Sequence, residues 1–109
     1  MEGHIPNGIP PFDGNNYAYW SNKMQTYLTA LGVDIWFLVV NGYKVPKITP
    51  TDPDEKKLMS CNSKARHVII SGLIPTVSSK VMVCNTAKEV WAKHQNIYEG
   101  NQKVMQVKL

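Results

Sequence analysis

The chain reads as an all-α domain, a compact bundle of about five helices behind an extended N-terminal lead-in, and three observations predict this. Apolar residues recur at three- and four-residue intervals in several separate stretches. Capping residues stand ahead of those stretches and glycines behind them, and no pair of alternating segments flanks a hairpin-type turn. With 109 residues, 43% hydrophobic and 18% charged, the chain can bury a core and is too apolar for a disordered segment.

Residues 1–14 hold three prolines and three glycines, which favours an extended lead-in over a helix, so the helical domain is expected over residues 15–109. Asn15 and Asn16 suit a helix start, and Tyr17, Trp20, Met24, Tyr27, Leu28 and Leu31 follow at helical spacing until Gly32. Asp34 suits the cap of a short, almost wholly apolar helix from Ile35 to Val40, closed by Asn41 and Gly42 and expected to be buried nearly all round. Residues 43–51 contain two prolines and no period, the pattern of a crossing loop.

Asp52, Pro53 and Glu55 then give a cap, a first-turn proline and a first-turn carboxylate, which together satisfy or complement the free amides of a helix start. Leu58, Cys61, Ala65, Val68 and Ile69 form the expected core stripe of this third helix, with Met59 and Ile70 on a second apolar side. Pro75 opens a short helix carrying Val77, Val81 and Met82 and ending near Cys84 and Asn85. Thr86 and Glu89 are spaced as a capping box ahead of Val90, Trp91, His94, Ile97 and Tyr98, with Gly100 as the stop. Val104 to Leu109 has a helical pattern that reaches the last residue uncapped, as expected of a chain that continues.

The apolar runs are shorter than the roughly 20 residues of a membrane span, and the first residues lack the basic and apolar regions of a secretory signal. Cys61 and Cys84 have no metal-like spacing and no Asn-x-Ser/Thr acceptor occurs, so a cytoplasmic setting is expected. Residues 1–55 hold three lysines against six acidic residues, and residues 56–109 hold nine basic residues against two. That asymmetry suits head-to-tail self-attraction or weak polyanion binding, and equally the solvated faces of ordinary helices.

No phosphate-cradling Gly-Lys loop, nucleophile elbow or His-Glu-x-x-His motif is present, and Asp34, Asp52 and Glu89 have helix-start roles that account for them, so no catalytic site is expected. No metal or other cofactor is expected either. Cys61 and His67 diverge around their helix, and His94, on the face of Trp91, reads as a hydrogen-bonded core histidine. Lys64, Arg66 and Lys103 are the candidates for weak, salt-sensitive RNA contact. Specific readout would need more arginine and exposed aromatics, whereas Trp20 and Trp91 lie on core stripes.

Two blocks carry a family resemblance. Pro11-Phe12-Asp13-Gly14-Asn15-Asn16-Tyr17-Ala18-Tyr19-Trp20, continued by Asp34-Ile35-Trp36 and Asn41-Gly42-Tyr43, resembles the start of gag polyproteins of copia-type LTR retrotransposons, chiefly of plants. Asn85-Thr86-Ala87-Lys88-Glu89-Val90-Trp91, followed by Tyr98-Glu99-Gly100 and Lys103 to Leu109, is similar to a second signature of that family. The resemblance implies the N-terminal lobe of a capsid-forming protein, with Phe12, Gly14, Tyr17, Trp20, Trp36, Trp91, Tyr98 and Gly100 as its structural motif. It also implies a following second lobe and an RNA-gripping zinc knuckle, neither of which lies in these 109 residues.

At about 100° per residue, the side of the first helix opposite Trp20 and Met24 carries Ala18, Tyr19, Asn22, Gln25, Thr26, Thr29 and Ala30 and is expected to be free of charge. Interfaces deplete Lys and Glu and favour Tyr, so Tyr19, Asn22, Gln25, Thr26 and Thr29 are the candidate contact with further copies of the chain. The outward side of the fifth helix, with Lys88, Glu89, Lys93 and Glu99, is ordinary solvated surface. The alternative function is a domesticated lobe serving as a peptide-binding adaptor, with residues 1–13 and 43–51 framing the groove.

Overall fold

The computed structural model describes residues 8–100. Within them α1 (Tyr17–Leu31), α2 (Val33–Asn41), α3 (Pro53–Ser71), α4 (Pro75–Val81) and α5 (Ala87–Gln95) follow in order, and a single π-helical turn, Asn96–Gly100, continues α5. No strand occurs among the described residues. α2 packs against α1, α3 and α5; α3 also packs on α5, and α4 covers the α3–α5 end.

α1 begins where its sequence places it. The Asn16 side chain accepts the Tyr19 amide at 3.3 Å, and Asp13 one step earlier accepts the Asn15 amide at 2.9 Å. Asn16 itself sits at φ +51°, a left-handed conformation that asparagine tolerates better than most residues. Tyr17, Trp20, Met24 and Leu28 then form one buried stripe.

Gly32 serves both α1 and α2. Its amide closes α1 on the Leu28 carbonyl, and its own carbonyl accepts the amides of Ile35 and Trp36. α2 therefore starts at Val33, and Asp34 is not its cap as the sequence suggested. It lies in the first turn, with its carboxylate 3.6 Å from the exposed Lys57 ammonium. Nor is α2 enclosed. Ile35, Leu38 and Val39 are buried, but Val33, Phe37 and Val40 are each just over half exposed, because all three packing partners lie on the opposite side.

Asp52 caps α3, accepting the amides of Asp54 and Glu55 at 3.1 and 3.2 Å. Only the C-terminal half of the expected stripe is core: Ala65, Val68 and Ile69 are buried, whereas Leu58 and Met59 stand in an exposed first half and Cys61 is half-buried. Asn62, which sequence reasoning passed over, is buried as a polar splice between helices. Its side-chain oxygen accepts the Ala87 amide at 2.9 Å, and its amide nitrogen donates to the Asn85 carbonyl at 3.4 Å. α4 ends at Val81, earlier than expected, and Met82 and Val83 point to solvent. α5 carries the complete capping box: Thr86 Oγ1 accepts the Glu89 amide and the Glu89 carboxylate accepts the Thr86 amide.

Through Phe12 and Ile9 the described part of the lead-in, residues 8–14, packs into the core. Gly14, at φ +96°, makes the turn into α1, and just before it the Phe12 ring is 2% exposed. Burying such a ring contributes roughly 1.5–3 kcal/mol toward holding a segment with no regular structure. Two bonds fix its depth: the Phe12 amide donates to the Gly72 carbonyl at 2.7 Å, and the Trp20 indole nitrogen donates to the Pro10 carbonyl at 3.1 Å. The helix expected over Val104 to Leu109 lies outside the described residues.

Candidate functional site

Once the stripe of α1 is buried, its opposite side is left to water. Ala18, Tyr19, Asn22, Gln25, Thr26, Thr29 and Ala30 are all exposed, Tyr19 to 61%. The two threonine hydroxyls are turned inward along the helix: Thr26 donates to the Asn22 carbonyl at 3.0 Å and Thr29 to the Gln25 carbonyl at 2.8 Å. Each threonine thus presents its methyl group outward while its hydroxyl keeps an internal partner, which lowers the cost of drying this face. Shallow depressions lie between Tyr19, Asn22, Lys23 and Thr26 and between Gln25, Thr26, Thr29 and Ala30. One charge borders the face, contrary to the expectation of none: Lys23 Nζ stands 5.5 Å from the centre of the Tyr19 ring, within cation–π reach.

Behind this face the motif residues converge. Phe12, Tyr17, Trp20 and Tyr98 surround His94 with ring centres 4.9, 5.3, 4.9 and 5.0 Å away. Trp91 stacks on Trp20 at 5.6 Å and receives the Trp36 ring edge-on at 5.4 Å. Phe12, Tyr17, Trp20, Trp36, Trp91 and Tyr98, the aromatic residues of the expected structural motif, therefore form one cluster joining the lead-in, α1, α2, α5 and the π turn, whereas Tyr19 stays outside it. Gly14 turns the chain into it and Gly100 ends the π turn.

His94 is core, as the helical period indicated, but it is not hydrogen-bonded: neither ring nitrogen has a partner. Burial, which disfavours the charged imidazolium, pushes its pKa down from 6.5 to about 4. The sequence marked the position and could not show that four aromatic rings would gather around it.

The three basic candidates separate. Lys64 is exposed on α3. Arg66 donates from Nε to the Cys84 carbonyl and from Nη2 to the Met82 carbonyl, both at 2.7 Å, so its fork holds the α4–α5 connection to α3. Lys103 lies outside the described residues. Among the described residues no group of three or more His, Cys, Asp or Glu side chains is placed to hold a metal ion, and no helix is long and apolar enough to cross a membrane. No protein-family model, characterised protein or solved structure matches the chain.

Proposed function

We propose that this chain is the N-terminal lobe of a capsid-forming gag protein, of a copia-type retrotransposon or a domesticated copy, and that it builds particles by self-association. In this reading it is a cytoplasmic, particle-associated structural protein with no catalysis or cofactor of its own, and specific RNA packaging falls to other regions of the polyprotein. The observation that supports it best is the exposed face of α1, where seven consecutive face positions are uncharged and both threonine hydroxyls are satisfied within the helix. Such a face loses little on desolvation yet is not apolar enough to aggregate indiscriminately.

Thr26→Asp combined with Thr29→Asp tests this, because closed symmetric assembly repeats each substitution at every contact and sets like charges together as they desolvate. Light scattering over a concentration series should show the parent associating and the double variant remaining folded but more monomeric. Lys64→Asp combined with Lys93→Asp, on exposed positions of α3 and α5, should leave association nearly unchanged. Dissociation by the second pair and not the first would move the contact elsewhere. A parent that stays monomeric but binds a foreign peptide one-to-one would favour the adaptor reading.

A further inference from the structure

Residues 43–51 leave α2 without re-entering regular structure. Pro46 and Pro50 deny them a helix, and no backbone hydrogen bond ties any of them to the rest of the described chain. The amides of Tyr43, Lys44 and Val45 and the carbonyls of residues 43–46 thus have no backbone partner among the described residues. Beside this stretch lies a depression of about 510 Å³, lined on its apolar side by Leu38, Val45, Pro46 and Leu58. Val45 is 52% and Leu58 44% exposed, so apolar surface here meets water that an occupant would displace.

Of the two segments expected to frame a groove, the other borders a different depression at the start of α1, lined by Pro10, Pro11, Asp13 and Trp20, and its residues 1–7 lie outside the described residues. The lead-in is drawn into the core by Phe12 and the Gly72 carbonyl. A volume of this size suits one or two side chains of a bound ligand. The open backbone beside it adds a requirement that an isolated small molecule or a helix does not meet: an extended chain pairs with main-chain donors and acceptors while setting alternate side chains into the cleft. Lys44 and Lys47 come from the loop and Glu55 from the first turn of α3. Two positive groups against one negative line the cleft and favour an occupant with acidic flanks.

We propose that the cleft between residues 43–47 and the start of α3 binds an extended acidic peptide segment of another protein, seating one apolar side chain against Leu38 and Leu58 and acidic flanks at Lys44 and Lys47. This does not depend on the assembly reading, because no residue of α1 lines the cleft.

The test is an amide-resolved NMR titration of the whole chain with a synthetic peptide that has leucine at its centre, valine and threonine beside it and glutamate at each end. Saturable one-to-one shifts at Tyr43, Lys44, Val45 and Leu58 are expected. N-methylation of the peptide amides, which leaves the protein untouched, should weaken binding roughly threefold to tenfold for each ladder bond lost. Replacing the central leucine by aspartate should abolish it. Lys44→Glu combined with Lys47→Glu should weaken it about tenfold at low salt, with the difference shrinking as salt is raised. Leu58→Asp, at an exposed position that tolerates polarity, should remove it without unfolding the chain. The proposal is overturned if the cleft amides do not shift, if N-methylated and unmodified peptides bind alike, or if the same amides shift on concentrating the protein alone, which would make the occupant a second copy.

Discussion

The amide of Phe12 donates a 2.7 Å hydrogen bond to the carbonyl of Gly72, so a lead-in without regular structure is fastened to the end of the longest helix. Gly72 sits at φ −84°, open to any residue, so its need for glycine is one of space. A Cβ there would lie 2.7 Å from the Pro10 carbonyl oxygen and 3.0 Å from the Met24 terminal methyl. The methionine end can swing aside, but the carbonyl is held by the Trp20 indole.

Gly72→Ala should therefore lift the lead-in and destabilise the fold by about 1–3 kcal/mol, the usual range for overpacking a tight contact. Urea denaturation measures the loss. Because the Trp20 indole would lose its acceptor, native tryptophan fluorescence should change as well. A variant as stable as the parent with unchanged emission would show that the strap carries no load.

His94 makes stability depend on pH. Its folded pKa, about 4, lies below the ordinary 6.5, so between those values the unfolded chain binds the proton more readily. The contribution is complete above pH 6.5 and is lost as pH falls toward 4, with a total of up to about 3 kcal/mol. His94→Leu, of similar volume and without unpartnered nitrogens, should match or exceed the parent in stability at pH 7 and flatten this stretch of the profile. Urea midpoints from pH 4 to 7 for both proteins check it, and parallel profiles would remove His94 as the cause.

Arg66 binds two carbonyls with one planar fork, which lysine cannot reproduce. Arg66→Lys should cost about 1–3 kcal/mol through the lost charge-assisted bonds, while Lys64→Gln on the exposed side of the same helix should stay within about 0.5 kcal/mol of the parent. Thermal melts of the two variants decide this. Equal stabilities would mean the fork is dispensable and free for another partner.

Trp91 is only partly buried, but it joins Trp20 to Trp36. Trp91→Ala should cost about 3 kcal/mol, and Trp91→Phe distinctly less because a ring still fills the stack. Calorimetric melts that place both variants within a few degrees of the parent would show the cluster to be loosely packed.

What the sequence by itself determined is local: where α1, α3, α4 and α5 start, which side of each is apolar, and that the described residues hold helices and no strands. Asp52, the Thr86–Glu89 pair and the stripe Tyr17, Trp20, Met24 and Leu28 act through residues a few positions apart, and period and capping report such neighbours directly. The exposed face of α1 was legible for the same reason, being the complement of that stripe. Only the tertiary structure decided what lies beyond each helix. Periodicity measures apolarity and not the number of packing partners, so it could not tell that Phe37 and Leu58 would meet water. It could not show that Arg66 and Asn62 reach backbone 16 to 25 residues away, or that neither ring nitrogen of His94 would find a hydrogen-bond partner. Those outcomes depend on where distant backbone comes to rest, which the joint packing of five helices and a lead-in sets and no local pattern encodes.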